Sequence, residues 1–170
     1  MSRFAIREAV PADAAGIAAA HTESWRSSYR GILPEDVLDR IDVGQRALSR
    51  RRILLDRSAF HVVAYDLTHG DIVGFCDGGP SRRDGPYDAE IYALYLMHRA
   101  KRYGLGSEMV EWMTARFAAA GMRSMEIWVL ESNQHARRFY EAIGGRAAGT
   151  VRSTVGGYPV VERAYVWDRI

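Results

Sequence analysis

The stretch "RAKRYGLGSEMVEWM" places Gly104 and Gly106 at the start of an amphipathic helix, directly after Lys101 and Arg102. Glycine destabilises a helix by roughly 1 kcal/mol relative to alanine, so two in the first turn require a local reason. The first amides of a helix lack internal acceptors and, together with the helix dipole, attract anions. Without β-carbons at the two glycines, a phosphate can approach these amides closely. The pattern predicts either an anion site or an ordinary loop-to-helix transition.

Two well-known nucleotide-binding turns do not match this one. A mononucleotide P-loop ends in Gly-Lys-Ser/Thr, whereas Gly106 is followed by Ser107 and Glu108. A dinucleotide-binding turn requires a third glycine and a later acidic residue, and the required positions do not carry them. The turn alone therefore does not identify its ligand.

The elements around this turn follow from hydrophobic periodicity and from turn residues. The predicted strands are 4–8, 60–66, 71–79, 90–97, 124–131 and a closing hairpin around Gly156 and Gly157. The predicted helices run from Pro11 to about Tyr29, then over 35–41, 45–56, 105–120 and 133–143. This order predicts a mixed sheet with helices on both faces. A ligand is expected at the carboxyl ends of the strands that precede the last two helices.

Composition indicates an ordinary globular chain. The 170 residues carry a net charge of +2, which does not favour a nucleic-acid partner, and their length predicts a single domain over residues 1–170. Cys76, the only cysteine in the sequence, lies in an apolar strand and is expected to be a buried thiol. There is no signal-peptide pattern and no run of 18 apolar residues, so we expect a cytoplasmic protein without a membrane partner.

The segment "EIYALYLMHRAKRYGLG" (90–106) resembles the cofactor-binding signature of the GNAT acetyltransferases, which ends in Q/R-x-x-G-x-G/A. The sequence departs from that signature at Lys101, where the family prefers Gln or Arg, and at His98, where it prefers proline. The resemblance implies that the main-chain amides from Arg102 to Ser107 hold the pyrophosphate of acetyl-CoA. It also implies that the strand backbone near Leu96 pairs with the pantetheine arm.

A second segment, "NQHARRFYEAIGG" (133–145), resembles the N-x-x-A-x-x-F-Y-x-x-x-G-F element of the same family. The last Phe of that element is Gly145 here. By resemblance, both segments together provide the cofactor contacts. The implied cofactor-binding residues are Leu94, Leu96, Met97, Lys101, Arg102, Tyr103, Gly104, Leu105, Gly106, Ser107, Asn133, Ala136 and Tyr140.

The resemblance also implies a fold. It is an α/β (α+β) architecture: a mixed, mostly antiparallel twisted sheet of about seven strands with helices on both faces. The expected element order is β-α-α-β-β-β-α-β-α-β-β, with two or three helices after the first strand.

Acetyl transfer to an amine needs a base, because an alkylammonium has a pKa near ~10.4. Glu90, at the start of the central strand, is the candidate base by resemblance, and a solvated carboxylate at a strand end is the alternative. Tyr140 is the candidate acid that protonates the departing sulfur of CoA, and a packed amphipathic tyrosine is the alternative. Asn133 either contacts the cofactor or caps its helix, and these two roles are compatible.

The predicted acceptor pocket consists of Trp25, Tyr29 and Tyr92. Arg26 and Arg30 are expected near its rim. An aromatic stripe at helical spacing is also typical of a core, and His21 on the same stripe is more simply explained as a packed side chain. No group of His, Cys, Asp or Glu has the spacing of metal ligands.

The combined interpretation is an acetyl-CoA-dependent N-acetyltransferase that moves the acetyl group to a primary amine of a small molecule or peptide by direct transfer in a ternary complex. The alternative is a CoA-binding regulatory module without turnover. A third reading, a nucleotide-phosphate binder unrelated to CoA, also stays open. We expect no metal, and a homodimer is the common habit of the family.

Overall fold

The computed structural model describes residues 2–170, which form seven strands and five α-helices. The strands are β1 (Phe4–Glu8), β2 (Phe60–Asp66), β3 (Ile72–Pro80), β4 (Ala89–Leu96), β5 (Met125–Leu130), β6 (Arg146–Val155) and β7 (Tyr158–Trp167). The helices are α1 (Ala14–Tyr29), α2 (Glu35–Asp39), α3 (Val43–Ile53), α4 (Leu105–Ala119) and α5 (Gln134–Ala142). A 3-10 turn at Pro11–Asp13 precedes α1, so the helix predicted from Pro11 begins at Ala14.

All seven strands form one sheet in the order β1-β2-β3-β4-β5-β7-β6. Every neighbouring pair is antiparallel except β4 and β5, which are parallel and joined by α4. This confirms the predicted mixed, mostly antiparallel sheet.

Helices cover both faces of the sheet. On one face, α4 buries Met109, Met113 and Phe117, and α5 adds Tyr140 to the same apolar cluster. On the other face, Ile17 of α1 packs with Val63 and Phe75. Both helix layers are amphipathic, and the sheet between them has large apolar side chains on each side, as expected for a buried central sheet.

Strands β4 and β5 pair only over a short stretch and then separate. Their register joins residues 89–91 to residues 125–127, and no pairing continues toward the carboxyl ends. The backbone edge of β4 from Tyr92 onward therefore faces a gap instead of a neighbouring strand. This gap opens beside the turn that precedes α4.

A bulge in β4 changes which side chains share a face. Asp77 of β3 lies opposite Ala93, but Gly78 lies opposite Ile91, so Tyr92 is an extra residue in β4. A bulge of this kind re-aims the side chains that follow it. Beyond it, Tyr95 points toward α1, whereas Leu94 and Leu96 pack in the cluster on the α4 face.

Candidate active site

The turn before α4 presents six consecutive backbone N–H groups without acceptors. Within residues 2–170, none of the N–H groups from Arg102 to Ser107 is hydrogen-bonded, whereas the flanking ones are. The N–H of Lys101 donates to the carbonyl of His98 at 3.2 Å, and that of Glu108 donates to the carbonyl of Gly104 at 3.1 Å. Arg102, Tyr103 and Gly104 are exposed, Gly106 and Ser107 are half-buried, and Leu105 is buried. A cluster of amides at a helix N-terminus is suited to bind phosphate.

Glycine is required at Gly104 and at Gly106 for different structural reasons. Gly104 has a φ of 82°, a conformation that side chains rarely adopt. A β-carbon on Gly106 would lie 3.1 Å from Cζ of Phe139, so this glycine lets α5 pack closely on α4. From the sequence, both glycines are expected to let a ligand approach the backbone. At Gly106 the close packing of Phe139 is a second reason for the missing side chain.

Lys101 and Arg102, the two cations beside the turn, differ in their exposure to solvent. Arg102 is exposed and has a φ of 69°. The ammonium of Lys101 instead donates to the Ser28 hydroxyl of α1 at 3.3 Å, and burial lowers the pKa of Lys101. Of the two cations expected at the phosphate site, Arg102 is therefore the solvent-facing one. The exposed ring of Tyr103 packs edge-on against Phe4, with 4.9 Å between ring centroids.

Tyr140 of α5 is a buried phenol with an unused hydroxyl. Its ring packs among aromatic side chains, with centroid distances of 5.2 Å to Phe139 and 6.0 Å to Tyr165. Burial, with the nearby groups of Cys76 and Tyr95, raises the pKa of Tyr140. Within residues 2–170 its hydroxyl has no hydrogen-bond partner. The phenol is thus protonated at neutral pH and free to donate to a ligand.

Asn133 caps α5, as one of its predicted roles requires. Its side-chain oxygen accepts a hydrogen bond from the N–H of Ala136 at 3.2 Å, and the residue is buried. The cap begins the helix that carries Tyr140, directly after β5. Asn133 therefore positions Tyr140 beside the gap.

Glu90 is buried and held by Arg82. The guanidinium of Arg82 donates to both carboxylate oxygens, at 2.7 and 3.2 Å, and the backbone N–H of Arg82 adds a bond of 3.0 Å. Only 2% of Glu90 is exposed, so it is not the solvated strand-end carboxylate that was the alternative. As a base, Glu90 would have to share its oxygens with Arg82.

The aromatic residues predicted to form the acceptor pocket separate into two groups. Trp25 and Tyr29 pack together, with centroids 5.1 Å apart, and the Tyr29 hydroxyl lies 3.2 Å from that of Tyr95. Tyr92 is not part of this cluster. Its hydroxyl donates to the carbonyl of Pro80 at 2.6 Å, beside Arg82.

Tyr95 takes the place that sequence analysis assigned to Tyr92. The bulge at Tyr92 causes the exchange, because it changes the side-chain alternation of β4. A plain alternation puts Tyr92 and Tyr95 on opposite faces, so no sequence signal pointed to Tyr95. We refer to the packed group of Trp25, Tyr29 and Tyr95 as the aromatic cluster.

His21 lies beside the aromatic cluster as a packed, neutral side chain. Its ring is 4.8 Å from that of Tyr95 and 5.2 Å from that of Phe75. Burial, followed by the charges of Arg46 and Arg50, lowers the pKa of His21 to about 3. An imidazole of such low basicity is a poor proton acceptor at neutral pH. The side chains of Arg26 and Arg30 are exposed at the end of α1.

Residues 2–170 provide neither a metal-binding group nor a membrane-spanning helix. They contain no group of three or more His, Cys, Asp or Glu side chains that could hold a metal ion. Over the same range, every helix is too short or too polar to cross a membrane.

Comparison with known proteins identifies the family. The model of the Acetyltransferase (GNAT) family matches residues 19–145. The N-acetyltransferase YuaI of Bacillus subtilis (strain 168), described as uncharacterized, is 29% identical over 95% of this chain and 91% of its own. The probable N-acetyltransferase Rv2775 of Mycobacterium tuberculosis is 30% identical over 82% of this chain and 78% of its own.

Solved structures agree with the fold. The PaiA N-acetyltransferase of Thermoplasma acidophilum, solved in complex with coenzyme A, has a TM-score of 0.73 at 18% identity and covers 96% of this chain and 98% of its own. The sequence-based predictions of an acetyltransferase and of acetyl-CoA as its cofactor are thereby confirmed at the level of the family. The chain belongs to the GNAT family of acetyltransferases.

Proposed function

We propose that this chain transfers the acetyl group of acetyl-CoA to a primary amine by direct attack in a ternary complex. The observation that carries the proposal is the run of six unpaired N–H groups from Arg102 to Ser107, placed where β4 and β5 separate. Acetyl-CoA has a diphosphate, which an anion-binding turn can hold. It also has an arm with amide groups, which can pair with an open strand edge.

The cofactor fits the described residues as follows. The amides of the turn hold the diphosphate, and the exposed Arg102 adds positive charge there. The free backbone edge of β4 near Leu94 and Leu96 pairs with the pantetheine arm, as an added strand would. Asn133 and Ala136 border the other side of the gap. When bound, acetyl-CoA supplies an activated thioester, from which the amine nitrogen takes the acetyl group as the C–S bond breaks.

Tyr140 donates a hydrogen bond to the departing sulfur. Its raised pKa keeps the phenol protonated, and its hydroxyl has no competing partner within residues 2–170. The hydroxyl therefore stabilises the developing thiolate, which leaves as the thiol after taking the proton that the attacking nitrogen loses as the amide forms. A phenol of raised pKa acts more as a hydrogen-bond donor than as a full proton source.

Glu90 receives the proton that the ammonium loses, through water. Glu90 lies six residues before Leu96, a span of about 20 Å along a strand, so it does not reach an amine near the far end of β4 directly. The guanidinium of Arg82 also occupies both oxygens of the Glu90 carboxylate. A water relay along the face of the sheet is compatible with both features.

Direct transfer is favoured over an acetylated enzyme because the chain offers no suitable thiol. Cys76 is fully buried in β3, and burial raises the pKa of its thiol well above the ordinary value. A thiol that stays protonated is a poor nucleophile.

The test measures thiol release from acetyl-CoA and follows CoA binding by calorimetry. We expect CoA and acetyl-CoA to bind, thiol release to require an amine, and no burst of one thiol per enzyme without amine. Absence of CoA binding would overturn the cofactor assignment. A stoichiometric burst without amine would instead show an acetylated enzyme.

A further inference from the structure

Two buried hydrogen-bond donors lack acceptors on the face of the sheet covered by α1 and α3. They are Nη1 of Arg46, from α3, and Nε1 of Trp25, from α1. Within residues 2–170 neither makes a hydrogen bond of good geometry, although the Trp25 N–H lies close enough to the Tyr95 hydroxyl to lower the pKa of that phenol. The Arg46 guanidinium lies 4.8 Å from the ring centroid of Trp25, so both donors belong to one place. A buried donor without an acceptor is destabilising, and such groups in a native protein require an explanation.

The electrostatic surroundings of Arg46 are positive. Burial lowers the pKa of Arg46, Tyr95 raises it, and the positive charges of Arg50 and Arg26 lower it again. The buried carboxylate on this face, Asp77, is already bound by Arg50 and by Nδ1 of His61. A bound anion would therefore be attracted here, whereas a cation would be repelled.

These donors lie beside the aromatic cluster, close to Tyr95 of β4. Trp25 contacts Tyr29, and the hydroxyl of Tyr29 meets that of Tyr95. Tyr95 lies near enough to Tyr140, on the other face of the sheet, to raise the pKa of its phenol. A molecule anchored at Arg46 can thus extend past Tyr95 toward the place where the thioester is expected.

We propose that the acceptor carries an oxyanion as well as its amine, and that Arg46 and Trp25 bind this oxyanion. The inference rests on the proposed function and names the acceptor class: amino acids or aminoalkyl phosphonates, with a carboxylate or phosphonate as the anchored group. Arg46 contributes a charge-assisted hydrogen bond, and the indole N–H of Trp25 contributes a neutral one. The aromatic rings exclude water around both.

The experiment compares acceptors that differ in charge at one position. L-amino acids are assayed by thiol release beside their carboxamides, and aminoalkyl phosphonates beside the alkylamines without the phosphonate. Wild type is expected to prefer the anionic member of at least one pair by about 10- to 100-fold in kcat/KM. The two kinds of pair distinguish a carboxylate from a phosphonate.

Three variants locate the effect. Arg46→Gln is expected to remove the preference for the anion, with the KM for acetyl-CoA unchanged. Trp25→Phe keeps a ring but removes the N–H, and is expected to reduce the preference by about 2- to 10-fold. Arg51→Gln is the matched control, because Arg51 lies on the same helix as Arg46 and its side chain is exposed. Arg46→Lys keeps the charge and is expected to restore part of the preference.

The outcomes separate the two proposals. Thiol release with equal use of charged and neutral acceptors, or with a preference that Arg46→Gln leaves intact, overturns the oxyanion site while the acetyltransferase assignment stands. If no amine supports thiol release, the same amino acid and carboxamide pairs are titrated into the CoA-saturated protein by calorimetry. Binding of the acid alone, lost in Arg46→Gln, then supports the oxyanion site without turnover, and its absence overturns the site.

Discussion

The hydroxyls of Tyr29 and Tyr95 lie 3.2 Å apart and join α1 to the central strand of the sheet. Burial raises the pKa of Tyr29 and that of Tyr95, so both phenols are protonated at neutral pH. Tyr29 and Tyr95 pack on the α1 side of the sheet, and Tyr140 packs on the α4 side.

If the proposed function holds, we expect Tyr95 to be a determinant of acceptor binding. Tyr95→Phe is expected to raise the KM for the acceptor by about 2- to 10-fold, the effect of one neutral hydrogen bond, and to leave acetyl-CoA binding unchanged. Tyr92→Phe is the comparison, because it removes only the bond to the Pro80 carbonyl. It is expected to cost about 1 kcal/mol in unfolding free energy without changing the acceptor KM. Equal acceptor effects in both variants would contradict this assignment.

Tyr140→Phe separates catalysis from folding. The variant is expected to lower kcat by about 100-fold, since in the proposed mechanism it removes the hydrogen-bond donor to the departing sulfur. Because the hydroxyl has no partner within residues 2–170, the unfolding free energy should change by less than about 1 kcal/mol. Denaturant unfolding and thiol release provide the two measurements. Tyr158→Phe, at an exposed position of the β6–β7 hairpin, is the control and should change neither.

Gly104→Ala tests the conformation of the amide turn. A β-carbon there has open space, with its nearest neighbour 3.6 Å away, so the cost comes from the positive φ alone. We expect a loss of about 1 kcal/mol in unfolding free energy and weaker CoA binding in calorimetry. Gly85→Ala, at an uncrowded loop position of ordinary φ, is the control. Unchanged CoA affinity in Gly104→Ala would argue against the turn as the diphosphate site.

Gly106→Ala tests helix packing at the same turn. The added methyl group meets the ring of Phe139, so stability is expected to fall although alanine favours helix. Combining it with Phe139→Leu should give a loss smaller than the sum of the two single losses, because the smaller side chain makes room. Strict additivity in denaturant unfolding would show that Phe139 is not the residue that excludes a side chain here.

His21 predicts a pH dependence of stability. Its pKa is about 3 in the folded chain and near 6.5 when unfolded, so below pH 6.5 the unfolded chain binds the extra proton. Stability contributed by the neutral imidazole is fully present above pH 6.5 and is lost as the pH falls toward 3. Relative to His21→Gln, wild type should lose about 1.4 kcal/mol per pH unit between pH 6 and pH 4. Parallel profiles for the two proteins would contradict the low pKa.

Local sequence patterns were sufficient for the elements and the cofactor turn. Gly104 and the amphipathic helix after it are neighbours in the chain, and so are Asn133 and the helix that it caps. Each of these features depends on interactions within a few residues. For this reason the order of elements and the two motif segments could be predicted without a structure.

Other parts of the site depend on distant residues. Glu90 is paired with Arg82, which lies in a loop. Gly106 packs against Phe139, which lies on another helix. The bulge at Tyr92 arises from the pairing with β3, and it decides that Tyr95 joins Trp25 and Tyr29. No local spacing encodes such contacts, because they depend on how strands register against one another.

The sequence by itself determined the family, the fold class and the position of the amide turn, since these follow from hydrophobic periodicity and from residues adjacent in the chain. Only the tertiary structure decided which aromatic side chains pack together, that Glu90 is paired, and that Nη1 of Arg46 is left without a hydrogen-bond partner. The physical reason is that burial and pairing are set by groups far apart in sequence, which meet only when the sheet and its two helix layers are assembled.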